Sequence, residues 1–197
     1  MNEQKLPVEQ PSDIPEQQII VETKQWIDKI IIGHNLCPFA KKPFKQDLIR
    51  YVVSAANSEK NLVDDLVAEL AYLQDIATAK LETSILIMAN CLADFDDYNQ
   101  FLDVVDSTLE ALDLVGIIQV ASFHPDYCFA DLSAQDVRNY TNRSIYPMFH
   151  FIREDSVEHA RAAYPDVDSI PDKNMDLLLR IGLEVIQQQR NSCKSNQ

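Results

Sequence analysis

Two stretches of the chain concentrate side chains that do chemistry. The first is His34-Asn35-Leu36-Cys37-Pro38-Phe39, which carries one thiol. The second runs from Phe123 to Arg153 and holds His124, Asp126, Tyr127, Tyr140, Asn142, Arg143, Tyr146, His150 and Arg153. A thiol beside an imidazole forms a nucleophile with its general base. Arginine presents a planar fork that matches carboxylate or phosphate, and amide or phenol groups add neutral donors. The expected site therefore has Cys37 as nucleophile or redox thiol and His124 as general acid/base. Asn35, Asp126, Tyr127, Tyr140, Asn142, Arg143, Tyr146, His150 and Arg153 are expected to bind a small anionic molecule. The cofactor is left open.

Competing readings follow from the same residues. Pro38 keeps Cys37 out of a helical conformation and stiffens the turn, which suits a buried structural cysteine as well as a reactive one. Cys37, His124 and His150, with Asp126, have ligand types suited to zinc or iron. No two of them have ligand spacing on one element. Arg143 and Arg153 could be held in ion pairs with Asp126, Asp131, Asp136 or Glu154. The 124–147 stretch could be a surface loop whose polar side chains satisfy its own backbone. That leaves an enzyme, a metal-binding protein and a non-enzymatic ligand-binding or interaction module as three alternatives.

The elements that must position these residues are legible in the periodicity. Ile19, Ile20, Trp26, Ile27, Ile30 and Ile31 follow helical spacing, and Gly33 is read as a left-handed stop. Leu48–Val53 alternates as a strand. Ser58 is placed to cap a helix with Leu62, Leu66, Leu70 and Leu73 on one face. Thr83–Ala89 is a continuous apolar strand, covered on both sides. Asp94 opens a third helix, and Ile117–Phe123 makes a third strand. Met148–Arg153 is a fourth strand, expected antiparallel at one side of the sheet. Helices follow near Ser156–Ala163 and Ile170–Gln189, with Pro171 in the first turn of the second. The order β-α-β-α-β predicts an α/β domain with a mostly parallel four-stranded sheet and N- and C-terminal helices packed on it. The 124–147 stretch leaves the carboxyl end of a strand, where open α/β sheets usually place ligands.

Bulk properties narrow the class. A formal charge of −14 repels phosphate backbones and anionic lipid, so neither nucleic acid nor membrane is expected as partner. No apolar run reaches membrane-spanning length. The polar start of the chain has no secretory pattern, so a cytoplasmic location is expected. Cys37, Cys91, Cys128 and Cys193 form no C-x-x-C pair and read as free thiols. Only three glycines occur, and neither a dinucleotide nor a P-loop fingerprint is present. One domain is expected over residues 15–190, between disordered tails at 1–14 and 191–197. Oligomeric state is left open.

The strings Asn35-Leu36-Cys37-Pro38-Phe39-Ala40, Ala121-Ser122-Phe123-His124-Pro125-Asp126-Tyr127 and Asn139-Tyr140-Thr141-Asn142-Arg143-Ser144 resemble the bacterial domain-of-unknown-function family 1415. The Ala93-Asp94-Phe95 helix start and the Arg153-Glu154 pair add to the likeness, which runs from about Val21 to Gly182. The chain departs from the family pattern at His34, Cys128 and Ile145. The resemblance implies no activity and transfers no catalytic residue, because the family itself has no established function.

Overall fold

The computed structural model describes residues 14–164 and 166–194. Its helices are α1 (Glu16–Trp26), running on as a π-helix over Ile27–Ile32, α2 (Lys41–Lys45), α3 (Glu59–Asp75), α4 (Phe95–Ala111), α5 (Glu154–Ala163), α6 (Ile170–Ile181) and α7 (Leu183–Asn191). The strands are β1 (Ile49–Ser54), β2 (Thr83–Met88), β3 (Ile118–Phe123) and β4 (Met148–Arg153). Among the described residues no helix is long and apolar enough to cross a membrane.

The α/β class is as expected, and the pairing corrects the mostly parallel arrangement. Strand order is β1-β2-β4-β3. Only β1 and β2 pair in parallel, while β4 is antiparallel to both neighbours. Thus β1, β2 and β3 still point the same way, but β4 is wedged between β2 and β3 instead of lying at the side. The side chains suit that place. Phe149 and Phe151 are fully buried on one face and Met148 on the other, as for a strand covered by an apolar layer on each side. β3, with Gln119 and Ser122 half-buried, takes the edge.

Two apolar layers sandwich the sheet. Leu62, Leu66, Leu70 and Leu73 of α3 and Tyr98, Phe101, Val105 and Leu109 of α4 pack on Leu86, Phe149 and Phe151. Trp26, Ile27 and Ile30 of the N-terminal helix, with Leu178 and Ile186 of the C-terminal pair, pack on Ile85, Ile87 and Met148. The caps act as their residue types predict: Ser58 accepts from Asn61 N–H, and Asp94 accepts from Asp96 and Asp97 N–H.

Gly33 departs from its expected role. Its backbone is right-handed, at φ −60°, and a Cβ there would lie 2.2 Å from the Lys29 carbonyl oxygen. Glycine is needed for that close approach at the end of the π-helix, and the left-handed residue is Asn35, at φ 54°. The single C-terminal helix expected over 170–189 is broken at Gly182, φ 84°. Helix α7 runs one residue past the boundary expected at residue 190. The described chain continues to Lys194, and Cys193 is fully buried, donating its thiol hydrogen to the Gln189 carbonyl. The expected N-terminal tail, apart from Ile14, lies outside the described residues, as do 195–197.

Candidate functional site

A cavity of about 340 Å³ lies between the sheet and the N-terminal helix, at the lower end of the range for small-molecule sites. Strand register builds its floor. Thr83, Ile152 and Gln119 form one cross-strand row, Ile85, His150 and Ala121 the next, and Met148 and Phe123 the third. Because side chains alternate, these rows share one face. Trp26, Ile27 and Ile31 cover them from above, the Cys37–Ala40 turn closes one side, and Ser156, Val157 and Ala160 of α5 close another. Trp26 is almost fully buried, its ring 5.5 Å from Phe123 edge-on, and its indole N–H has no partner among the described residues. Phe39 and Tyr164, 5.9 Å apart edge to face, tie the turn to the end of α5.

His150 supplies the most defined polar atom of this space. Its Nε2 lies 2.6 Å from Thr83 Oγ1, and that hydroxyl donates to the Phe151 carbonyl at 2.5 Å. A hydroxyl has one hydrogen, so Thr83 must accept from His150 Nε2–H. The tautomer is thereby fixed, and Nδ1 is left as a lone pair with no protein partner among the described residues. Burial pushes the imidazole down to about 4, so the ring is neutral at pH 7.

Cys37 is half-buried and lines the same cavity. Burial raises its thiol above the usual range, and hydrogen bonds from the Phe39 and Ala40 backbone N–H groups oppose this without overcoming it. Asn174 Nδ2 donates to the Leu36 carbonyl at 2.7 Å and anchors the turn to α6. Asn35 precedes the turn as its exposed left-handed residue.

His124, the expected acid/base, occupies a different environment. It is fully buried against the rings of Phe95, 5.4 Å away, and Tyr98, 5.0 Å away. Nδ1 accepts from Asp126 N–H at 3.0 Å, so Nε2 carries the hydrogen and donates to the Leu92 carbonyl at 3.1 Å. Both nitrogens are occupied, burial lowers its pKa, and it does not line the cavity. This geometry makes His124 a clamp between the α4 approach and the 124–147 segment. The named histidine that lines the cavity with Cys37 is His150.

The remaining expected residues mostly stitch that segment together. Arg143 donates Nε to the Tyr127 carbonyl at 2.9 Å and Nη2 to the Ala134 carbonyl at 2.7 Å. Asn142 Nδ2 donates to the Ser122 carbonyl, and Tyr146 donates to Glu22 Oε2 at 2.6 Å. Tyr127 packs on Phe95 and Phe129, and Tyr140 is buried beneath the Arg143 guanidinium. The Asp126 side chain is exposed. Arg153 donates Nη2 to the Leu73 and Ile76 carbonyls at 2.5 and 2.6 Å, closing the C-terminus of α3. Neither Arg143 nor Arg153 forms any of the ion pairs among the described residues. Neither lines the cavity, and the charged side chain that does is Glu82.

Of the named site residues, then, the fold brings together Cys37 and His150. No group of three or more His, Cys, Asp or Glu able to hold a metal ion exists among the described residues, so the expected Cys37, His124 and His150 ligand set is not assembled. Sequence reasoning missed Trp26, Thr83 and Gln119. A threonine opening an apolar strand and a glutamine inside another were the available signals.

The family described as "Protein of unknown function (DUF1415)" matches residues 18–188. The chain belongs to the DUF1415 family. The match spans every element from α1 into α7, so the cavity and the 124–147 segment both lie inside the DUF1415 region. No curated protein and no solved structure matches the chain.

Proposed function

We propose that the cavity is the working site and that it takes a small, largely apolar molecule presenting a hydrogen-bond donor to His150 Nδ1. One observation carries this reading: His150, whose Nδ1 has no partner among the described residues, and Cys37 line the same apolar cavity. A polar atom left facing such a space favours a ligand that completes its hydrogen bond. Trp26, the single tryptophan, lines the wall and reports occupancy by fluorescence. Titration with cyclohexylmethanol, which does not absorb at the indole band, is expected to give a saturable change. The signal should vanish in Ala121→Phe, which fills the floor. In His150→Phe the alcohol should bind at least tenfold more weakly, while methylcyclohexane loses little. No saturable change with either probe, or an undiminished one in Ala121→Phe, overturns the reading.

A second reading, thiol chemistry on the bound molecule, is favoured by Cys37 lining the same cavity as His150. Both groups are neutral at pH 7, so thiol attack would proceed with proton transfer to His150 Nδ1 rather than from a preformed ion pair. A metabolite turnover screen separates the two readings. Activity lost in Cys37→Ala and His150→Gln but kept in His124→Ala supports thiol catalysis, and undiminished activity in Cys37→Ala excludes it.

A further inference from the structure

Away from the cavity, three cations gather around two aromatic rings. The guanidinium carbons of Arg143 and Arg190 lie 5.1 and 5.4 Å from the centre of the Tyr140 ring, and the Lys194 ammonium lies 5.4 Å from that of Tyr146. They come from two parts of the chain. Arg143 belongs to the 124–147 segment, while Arg190 lies in the last turn of α7 and Lys194 three residues past its end. None belongs to the ion pairs found among the described residues.

Their hydrogen bonds leave donors over. Arg190 uses Nη1 on the Pro125 carbonyl at 2.8 Å. Arg143 uses Nε and Nη2 on loop carbonyls, which leaves Nη1. The Lys194 ammonium makes no hydrogen bond among the described residues. Burial holds the Arg190 guanidinium below its usual value; Arg143 adds to this, and Tyr140 and Asp126 oppose it. The carboxylates that face the group are Asp126, near Arg190, and Glu22, near Lys194. Glu22 already accepts from Tyr146 and Gln18. In a chain of net charge −14, positive groups are usually drawn against surplus carboxylates. Three of them gathered with open donors call for a different counter-charge.

We infer that Arg143, Arg190 and Lys194, framed by Tyr140 and Tyr146, form a binding site for an oxyanion, the phosphate or carboxylate group of a small molecule. Arg143 and Arg190 supply the geometry, since their carbonyl bonds fix each fork while leaving further N–H groups unbonded. Lys194 supplies a third charge, on an exposed residue. The site is independent of the cavity, whose walls contain none of these residues.

Isothermal titration with inorganic phosphate and with citrate, each against chloride at matched ionic strength, tests it. At least one oxyanion should bind with a Kd of a few millimolar or below. Arg190→Gln, which removes the guanidinium, should weaken binding at least tenfold, and adding Lys194→Ala should weaken it further. Arg161→Gln, on exposed α5, should change nothing. Binding of phosphate alone assigns a phosphoryl ligand, and binding of citrate alone assigns a carboxylate one. No oxyanion binding beyond chloride, or undiminished binding in Arg190→Gln, overturns the inference. Should Arg190→Gln not fold, Arg190→Lys keeps the charge without the fork and must show the same loss. Unchanged phosphate or citrate binding in His150→Gln keeps this result separate from the fate of the cavity.

Discussion

Replacing His150 by glutamine should remove a defined part of the acid sensitivity of this protein. The imidazole is held near 4 against an ordinary value of 6.5, because its ring is buried on the sheet and has no carboxylate partner. The unfolded chain therefore binds a proton that the folded chain refuses. Stability contributed by the neutral ring is complete above pH 7. It is lost as pH falls from about 6.5 through 4, since the unfolded state binds more protons throughout that window. Between pH 7 and pH 5 the linkage amounts to about 2 kcal/mol, as an upper value because the ring keeps some contact with the cavity. Glutamine can still donate to Thr83 Oγ1 and does not titrate. Urea unfolding of both proteins at pH 7 and pH 5 gives the double difference. His124 is present in both and cancels. The variant should lose about 2 kcal/mol less than the parent over this range. Equal losses, or an NMR titration of His150 with a midpoint above 6, would refute the reasoning.

Other outcomes follow from single contacts. Cys37 should react with a disulfide reagent at pH 7 at least tenfold more slowly in the native protein than in the urea-unfolded chain, because burial keeps its thiol protonated; equal rates, resolved by mass spectrometry, contradict this. Arg153→Met should cost about 3 kcal/mol of unfolding free energy by freeing the Leu73 and Ile76 carbonyls at the end of α3, and a loss under about 0.5 kcal/mol sinks the capping role. Gly33→Ala should cost about 1–3 kcal/mol, since its Cβ meets the Lys29 carbonyl, and a neutral result would show that the π-helix relaxes freely. His124→Gln should destabilise the fold by about 1–3 kcal/mol yet leave probe binding in the cavity within about twofold, which a catalytic or binding His124 would not.

The sequence by itself determined the local elements. Periodicity located the leucines of α3 and the stripe of α4, and the caps at Ser58 and Asp94 are local chemistry, so they needed no tertiary information. β4 could also be bounded from its own residues, and so could the face that His150 shares with Ile152. Membership of the family was readable from three short strings. Pairing order was not: whether Met148–Arg153 lies at the side or between β2 and β3 depends on which neighbours bury both its faces. The break at Gly182 was hidden because helical periodicity runs across it.

The site divided along the same line. Reactive residue types mark candidates, but a side chain is available only if the fold leaves its polar atoms unused. The fold used both nitrogens of His124 on a backbone carbonyl and a backbone amide, and the Nη2 of Arg153 on helix carbonyls. It gave His150 one partner and an open lone pair, and it brought Arg190 to Arg143 from 47 residues further along the chain. Hydrogen-bond saturation is a property of the packed structure, and composition and spacing carry no record of it. The sequence thus named Cys37 and His150 among eleven candidates, and only the tertiary structure put those two around one cavity.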